Sequence, residues 1–378
     1  MQSKILVVGQ DNVATSTGGA ITVFREFCYL LTRNGYRVTA MCHSKDNVVP
    51  QWTSQVENLS FVNTMHKYGE NFPKGINQFV MDEQPALIVF FFPGLYRAAH
   101  LSKEFNGIPR ILMFHSRPDF YFEIEHGLKR RLKRYYVNTY AHVLLDSFVK
   151  LLPPYILKGP VRVIPNAVTI PAQMADYSVE HKKAVYYSRI DPCKGVDLLI
   201  EAFAKVAQKH PDWSVDVYGY SDVPGYLDKV NEMIERHGVG NNVIIKGLAT
   251  KSAPETLKDY DFCIFPSRFE GFGIGLAEAM AVGLPVIGLQ NCSAVNEIIL
   301  HGRNGLLCKD TAESLAQAIN QMIESPQDRR RMGPEARKRV SKYSPESVER
   351  KWLELVDDAI NPATEYPLAP VKKLVRYY

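Results

Sequence analysis

The stretch FPSRFEGFGIGLAEAMAVGLPVI, residues 265–287, decides the fold class and indicates a ligand. An apolar run is followed by a glycine-rich loop, a helix-forming segment and a second apolar run, which predicts a strand, a sharp loop, a helix and a strand. Gly271, Gly273 and Gly275 allow a ligand to approach the backbone of the loop closely. The beginning of the helix favours an anion, because its free N–H groups and its dipole point toward the loop.

Two carboxylates flank the predicted anion site. Glu270 precedes the loop, and Glu278 lies one turn into the helix. Carboxylates do not bind phosphate, but they accept hydrogen bonds from hydroxyl groups. The arrangement therefore suits a diphosphate flanked by two polyols, as in a nucleotide sugar with a ribose at one end and a hexose at the other.

Strand and helix patterns alternate along both halves of the chain, which predicts βαβ units and parallel sheets. This periodicity is lost between Thr169 and Lys183. We therefore predict an α/β fold of two Rossmann-like doubly wound domains, residues 1–168 and 169–360, followed by a tail at 361–378. Because ligands of such sheets bind beyond the carboxyl ends of the strands, two domains facing each other would enclose a central cleft. The predicted strands are 4–9, 36–43, 86–92, 108–114, 184–189, 214–219, 243–247, 262–266 and 285–289.

The composition is that of an ordinary globular chain. The 378 residues carry a net charge of +5, with 46% hydrophobic and 22% charged residues, and this small excess does not by itself indicate nucleic acid. The longest uncharged apolar stretch, residues 85–96, is too short to span a bilayer. The N-terminus lacks the features of a signal peptide, and the six cysteines show no metal or redox spacing. We expect a cytoplasmic chain with buried free thiols and no nucleic-acid partner.

Motifs of several other enzyme classes do not occur in the sequence. The first predicted strand is not followed by the G-x-G-x-x-G loop of dinucleotide-binding proteins, and there is no P-loop. The motifs H-E-x-x-H and G-x-S-x-G are also missing. Asp259 and Asp261 could hold a divalent metal on a sugar nucleotide, but they lie at the entry to a predicted strand. We favour a structural role for this pair and expect neither a metal nor a cofactor.

Glu270 and Glu278 form an E-x7-E pattern that resembles the retaining GT-B glycosyltransferases of glycosyltransferase family 4. Two further segments are similar to that family in order and spacing. YSRIDPCKG at 187–195 resembles its G-R-L-x-x-x-K-G segment, with Ser188 in place of glycine. IPNAV at 164–168 resembles its I-P-N-G-V segment, with alanine in the glycine position.

The resemblance extends into the N-terminal half. Gly18 and Gly19 match the glycine loop of the family, and His115 follows a predicted strand as the active-site histidine of the family does. Together the five segments cover the chain from its start to about residue 360. The resemblance implies a GT-B fold, with an N-terminal acceptor-binding domain, a C-terminal domain that binds the nucleotide sugar, and a tail that crosses back to the N-terminal domain.

The resemblance also implies roles for individual residues. Arg189 and Lys194 would bind the donor diphosphate, and two cations can stabilise the charge on a leaving diphosphate without a metal. Glu270 would accept hydrogen bonds from the hexose and Glu278 from the ribose, while His115 would touch the donor sugar. The catalytic set would be His115, Arg189, Lys194 and Glu270. Backbone contacts with the donor would come from Gly18, Gly19, Gly271, Phe272, Gly273 and Ile274, and the nucleobase slot from Gly219, Lys246, Gly247 and Leu248.

The implied activity is transfer of a hexose or N-acetylhexosamine with retention, giving an α-linkage. The acceptor would be a growing envelope glycan, such as lipopolysaccharide or a lipid-linked oligosaccharide, and we favour a UDP-sugar over GDP-mannose as donor. Two alternatives stay open: a GT-B-fold epimerase or hydrolase, which turns over the donor alone, and a non-catalytic sugar-nucleotide binder. The intact set of Arg189, Lys194 and Glu270 argues against the binder.

A basic segment, LKRRLKR at 128–134, lies in the predicted acceptor domain. Its spacing predicts an amphipathic helix over 128–140, with leucines and tyrosines on one face and cations on the other. We expect this helix to meet an anionic surface, either the cytoplasmic face of the inner membrane or phosphate groups of the acceptor. A solvated helix packed on the core is the alternative. The cations are Lys129, Arg130, Arg131, Lys133 and Arg134.

Vesicle binding tests this segment. Each basic residue near an anionic surface contributes about 1 kcal/mol, and the attraction decays over a Debye length of about 8–10 Å. Changing Lys129, Arg130 and Lys133 to Glu should therefore sharply weaken co-sedimentation with anionic vesicles at low salt, while turnover of a short soluble acceptor stays the same. Unchanged sedimentation would identify a solvated face, and lost turnover would place these cations in the acceptor site.

Overall fold

The computed structural model describes residues 2–9, 19–54, 56–94, 107–122, 139–154 and 156–362. The chain divides into two compact units. The first unit comprises Met1–Pro165 and Glu349–Tyr378, and the second comprises Asn166–Val348. Each unit contains its own parallel β-sheet.

The first unit is built around a parallel sheet. Its described elements are β1 (Lys4–Val8), α1 (Gly19–Arg33), β2 (Arg37–Cys42), β3 (Leu59–Asn63), α2 (Thr64–Tyr68), α3 (Phe72–Glu83), β4 (Leu87–Phe90), β5 (Arg110–Phe114), α4 (Pro118–Phe122), β6 (Thr139–Val143), α5 (Asp146–Val149) and β7 (Val161–Val163). Among the described residues, seven strands pair in the order β3-β2-β1-β4-β5-β6-β7. Strands β4, β5 and β6 are buried along their whole length, as expected when both faces of a parallel sheet are covered.

The second unit repeats this arrangement. Its elements are β8 (Lys183–Tyr187), α6 (Val196–Lys209), β9 (Ser214–Tyr218), α7 (Tyr226–His237), β10 (Val243–Gly247), α8 (Ala253–Leu257), β11 (Phe262–Phe265), α9 (Ile274–Val282), β12 (Val286–Leu289), α10 (Ser293–Ile298), β13 (Gly305–Cys308), α11 (Ala312–Glu324) and α12 (Pro326–Val340). The strands are parallel and lie in the order β10-β9-β8-β11-β12-β13. The order reverses between β8 and β11, and ligands of such sheets bind at this kind of switch point.

Helix α9 follows the glycine-rich loop and is apolar on nearly every side. Leu276, Ala277 and Met280 are among its fully buried residues, because α9 packs against α8 and α12 as well as against the sheet. Gly273 before it and Gly283 after it both have left-handed backbone angles, with φ of 86° and 96°. These angles favour glycine, so the two residues define where the helix begins and ends.

The limits of the two units differ from the predicted domain limits. The chain enters the second unit after Pro165 and returns to the first at Glu349, within the C-terminal helix α13 (Pro345–Ile360). The cause is the apolar face of α13. The ring of Trp352 lies 5.0 Å from that of Phe27 and 4.4 Å from that of His142, so residues assigned to the C-terminal domain complete the core of the first unit.

Four strands, β3, β6, β7 and β13, are missing from the nine strands predicted from the sequence. The prediction of a helix through residue 140 is wrong for Thr139 and Tyr140, which belong to β6 and pair in parallel with Arg110 and Ile111 of β5. Thr and Tyr fit a pleated strand well, and this pairing outweighs the helical spacing that they share with the preceding residues.

Several predicted features lie outside the described residues. These are Gly18, the five cations Lys129, Arg130, Arg131, Lys133 and Arg134, and the tail from residue 363 onward. In the part of the chain that the structure describes, no helix is both long enough and apolar enough to cross a membrane.

Two glycines with left-handed angles allow a matched test of the loop packing. Gly195 has φ 73°, and a Cβ atom there would overlap the carbonyl oxygen of Pro266, whereas Gly238 has φ 65° and faces open space. Gly238→Ala should cost about 1–2 kcal/mol of unfolding free energy for the left-handed angle alone. Gly195→Ala should cost about 1–3 kcal/mol more, because the loops must move apart. Equal losses in urea denaturation would contradict the close contact.

Candidate functional site

The candidate site lies at the carboxyl ends of β8 and β11 in the second unit. The loop after β8 contains a 3-10 turn, Pro192–Lys194, and the loop after β11 is the glycine-rich stretch that leads into α9. Because β8 and β11 are neighbours in the sheet, the two loops emerge side by side. The sequence segments that match the family motifs are therefore brought together by the strand order.

Lys194 and Glu270 form a buried ion pair between these two loops. The Lys194 Nζ is 2.7 Å from the Glu270 Oε1 and also donates to the carbonyl oxygen of Phe269 at 3.2 Å. The two residues are only 8% and 7% exposed. Sequence reasoning assigned Lys194 to a diphosphate and Glu270 to a sugar, but it did not predict that each would hold the other in place.

Arg189 is more loosely held than Lys194. Its guanidinium lies 3.6 Å from carboxylate oxygens of both Asp191 and Asp222, and the side chain is about half exposed. The backbone around it is firmly fixed, because the buried Tyr186 hydroxyl donates to the Arg189 carbonyl at 2.6 Å. The backbone N–H of Cys193 donates to the Asp191 carboxylate at 2.9 Å. The arrangement combines a loop held by hydrogen bonds with a half-exposed cation whose ion pairs are long.

The glycine-rich loop is shaped partly by contacts within the protein. A Cβ atom on Gly275 would overlap the carbonyl oxygen of Tyr187, so this glycine allows α9 to approach β8 rather than allowing a ligand to approach the loop. This corrects the interpretation made from the sequence. The Phe272 ring is buried edge-on against Tyr343, at 5.2 Å, which leaves only its backbone for a ligand. Gly271 and Ile274 are partly exposed.

Glu278 lies on the second turn of α9, half-buried. Burial raises the pKa of its carboxyl to about 7. The carboxyl of Glu278 makes no hydrogen bond or ion pair with any other residue in the described ranges. The raised pKa of the nearby Tyr187 hydroxyl is caused mainly by burial and, to a lesser degree, by the charge of Glu278. A protonated carboxyl group can both donate a hydrogen bond to a hydroxyl group and accept one from it.

The ends of β9 and β10 bring the predicted nucleobase residues together. The backbone N–H of Gly219 donates to the Gly247 carbonyl at 2.9 Å, and Gly219 lies so close to Ser188 that a Cβ atom would overlap the Ser188 carbonyl. Leu248 is 65% exposed and Lys246 is also on the surface. The exposed apolar side chain of Leu248 therefore lies close to Gly219 and Gly247.

His115 belongs to the first unit, directly after β5. Its ring stacks on Phe91 with centroids 4.0 Å apart, and its Nε2 is buried without a hydrogen-bond partner among the described residues. Burial, and to a lesser degree the nearby His142, lowers the pKa of His115 well below its usual value. The imidazole is therefore neutral at physiological pH. Gly19 begins helix α1 of the same unit.

Asp261 contacts protein groups at the entry to β11. It is 2% exposed, accepts from the backbone N–H of Lys183 at 3.2 Å and lies 3.8 Å from Arg329. Within the described ranges, no group of three or more His, Cys, Asp or Glu side chains is arranged to hold a metal ion.

Sequence reasoning missed Arg268, which links the loop after β11 to the first turn of α6 and to the segment after β13. Its guanidinium contacts Asp197 and Asp310. Nothing in the local sequence marks these acids as partners, because they lie 71 and 42 residues away along the chain.

The geometry of the second unit can be compared with known proteins. Residues 174–339 match the family Glycosyl transferases group 1. The chain is also 31% identical over 176 residues to the poly(ribitol-phosphate) alpha-N-acetylglucosaminyltransferase of Staphylococcus aureus. This alignment covers 45% of the chain and only 34% of the length of that relative.

Two solved structures are similar over nearly the whole chain. Sucrose-phosphate synthase from Thermosynechococcus elongatus has a TM-score of 0.78 at 17% identity, with 94% of this chain and 99% of that chain covered. The Anabaena protein HepE, in complex with UDP and glucose, has a TM-score of 0.72 at 18% identity, with 94% and 100% covered. The prediction of an α/β GT-B fold with two Rossmann-like domains is confirmed.

The pKa of Glu278 generates a pH-dependent prediction. Because the folded state raises this pKa to about 7, the stabilisation by the protonated carboxyl is complete below the unfolded pKa and is lost as pH rises through about 7. Relative to Glu278→Gln, which stays neutral, the unchanged protein should lose unfolding free energy between about pH 5 and pH 8. Glu201→Gln, on the exposed side of α6, is the control. A stability difference between the unchanged protein and the Glu278→Gln variant that is independent of pH would contradict the raised pKa.

Proposed function

We propose that the chain is a retaining glycosyltransferase of family 4 that transfers a hexose or N-acetylhexosamine from a nucleotide sugar. The observation that carries this proposal is the buried pair of Lys194 and Glu270 at the switch point of the second sheet, with the half-exposed charge of Arg189 beside it. The match of residues 174–339 to Glycosyl transferases group 1 supports the same activity.

In this proposal the second unit holds the donor. Arg189 and Lys194 bind the diphosphate, while Glu270 accepts from the hexose and Glu278 from the ribose. The backbone of residues 271–274 meets the phosphate and sugar. The apolar Leu248, together with Lys246 and the glycines at the ends of β9 and β10, forms the slot for the base. Backbone contacts of Gly18 and Gly19 with the phosphate and acceptor stay an expectation that the family resemblance implies.

The reaction breaks the bond between the sugar and the diphosphate and forms a bond to an acceptor hydroxyl on the same face of the sugar. The leaving diphosphate gains negative charge, which Arg189 and Lys194 stabilise, so that no metal is required. The leaving phosphate oxygen takes the proton of the acceptor hydroxyl. His115 acts in this proposal as a neutral hydrogen-bonding group for the donor sugar, and its lowered pKa supports the neutral form.

UDP is the proposed nucleotide, with GDP-mannose as the second choice. The S. aureus relative is named for N-acetylglucosaminyl transfer, and the Anabaena structure contains UDP and glucose. The acceptor in our proposal is a growing envelope glycan, such as lipopolysaccharide or a lipid-linked oligosaccharide. We place the enzyme at the cytoplasmic face of the inner membrane, a proposal that depends on the basic segment 128–134.

Substitutions of the buried pair separate folding from turnover. Lys194→Gln or Glu270→Gln leaves one buried charge unpaired, which should cost about 3–5 kcal/mol of unfolding free energy. The double variant leaves no unpaired charge and should recover most of that stability. All three should turn over UDP-glucose or UDP-N-acetylglucosamine at least about 10²-fold more slowly. Lys205→Gln, from the exposed pair with Glu313, is the control.

Binding and turnover are measured in excess EDTA, with UDP, GDP and their sugars compared by thermal shift. Ligand at about 100 times its Kd should add about 2.7 kcal/mol of stability. Full turnover by the double variant would remove the proposed site. A reaction that EDTA stops and magnesium restores would move the assignment toward Asp259 and Asp261. Turnover of donor alone, unaffected by any acceptor, would favour the epimerase or hydrolase.

A further inference from the structure

Arg268 lies two residues before Glu270, and its guanidinium is engaged with protein groups. The Nε atom is 3.2 and 3.3 Å from the two carboxylate oxygens of Asp310. The Nη1 atom is 2.9 Å from the Asp197 carboxylate and 3.0 Å from the carbonyl oxygen of Pro192. One side chain therefore joins the loop after β8, the first turn of α6 and the segment after β13.

The backbone of Arg268 reinforces this link. Its N–H donates to the carbonyl oxygen of Cys193 at 2.8 Å. Main chain and side chain of one residue thus contact two successive residues of the 3-10 turn that ends at Lys194. Because Lys194 follows Cys193 directly, the position of its backbone depends on Arg268.

The loop after β8 is joined to the loop after β11 by two sets of contacts, the Lys194–Glu270 ion pair and the hydrogen bonds of Arg268. A bound ligand affects these two sets differently. The Lys194–Glu270 ion pair joins the loops through the groups that the proposed donor would contact. A bound diphosphate and sugar compete for both charges. The contacts of Arg268 use none of the proposed donor-binding groups, so they persist when the donor occupies the site.

The chemistry of the link requires arginine. A guanidinium presents five donors in a planar fork and can contact several acceptors at once, whereas a lysine ammonium is a single point charge. Two carboxylates and a carbonyl surround the guanidinium of Arg268. The side chain of Arg268 is about one-third exposed, so its ion pairs contribute little to the free energy of unfolding. Their main effect is to fix the positions of the loops that they join.

We infer that Arg268 is a positioning residue, which holds the Lys194 turn against the Glu270 loop while the donor is bound. The inference rests on the proposed function. It assigns to Arg268 no contact with the donor or acceptor. A displacement of a catalytic group by about 1 Å can cost about 10²-fold in rate, which sets the size of the expected effect.

The first experiment measures turnover of UDP-glucose and UDP-N-acetylglucosamine by Arg268→Gln and Arg268→Lys. Arg303, which pairs with Glu335 at 2.7 Å elsewhere in the second unit, supplies the matched controls Arg303→Gln and Arg303→Lys. At a temperature where circular dichroism shows every variant folded, Arg268→Gln should reduce kcat about 10²-fold with a small change in KM. Arg268→Lys should fall between the two, and the controls should match the unchanged protein.

A second readout does not depend on activity. Cys193 is partly exposed, whereas Cys28, Cys42, Cys263, Cys292 and Cys308 are buried. Burial raises the pKa of Cys193 to about 11, so its reaction with a disulfide reagent should be slow in the unchanged protein. Loss of the charged hydrogen bonds of Arg268 should release the turn and raise the labelling rate about ten-fold or more. The Arg303 variants should label at the unchanged rate.

The outcomes separate this inference from the proposed function. If the unchanged protein neither binds UDP nor turns over a UDP- or GDP-sugar, the proposed function fails, and Cys193 labelling still decides whether Arg268 holds the turn. Unchanged labelling in Arg268→Gln overturns the inference. A kcat that matches the unchanged protein, or that falls only in proportion to the unfolded fraction, also overturns it.

Discussion

Direct contact between backbones holds the candidate site together. Gly275 lies against the carbonyl of Tyr187, Gly195 lies against that of Pro266, and Gly219 contacts the residue that follows Tyr187. None of these positions has room for a Cβ atom. The loops after β8, β9 and β11 therefore approach one another more closely than any side chain would allow. The charged residues Arg189, Lys194 and Glu270 belong to these closely packed loops.

Burying the Lys194–Glu270 pair between these loops carries a desolvation penalty in the free energy of folding. Removing two charges from water is expensive, and a buried ion pair is often no more stable than apolar residues of the same volume. The hydrogen bond from Lys194 to the carbonyl of Phe269 satisfies only one further proton of the ammonium. A sequence under selection for stability alone would not need this pair. Departures of this kind are expected where a protein has a chemical task.

The sequence predicted the elements around the site better than the contacts within it. Gly273 and Gly283 bound α9, and both were visible as glycines on either side of a helix-forming segment. The Lys194–Glu270 contact was not predictable, because the residues are 76 apart in sequence and meet only since β8 and β11 are neighbours. Local spacing carries no information on that strand order. The same reason hid the partners of Arg268.

Two edge strands and the end of the second unit were harder to predict. Strand β3 is mostly half-exposed and strand β13 begins with glycine, so neither has the continuous buried apolar run that marks the inner strands. Helix α13 has one continuous amphipathic pattern, which gives no sign that the chain changes unit at Glu349. Its assignment depends on what its apolar face contacts, and the rings of Phe27 and His142 lie far away along the chain.

The return of the chain at Glu349 has a consequence for synthesis. The second unit is one continuous segment, Asn166–Val348, and all of its strands are available before α13 leaves the ribosome. Domains fold as units while the chain is still growing. The surface around Phe27 and His142, which Trp352 covers, therefore stays open to water during the synthesis of the entire second unit. Synthesis of the first unit therefore starts before that of the second unit and is completed after it.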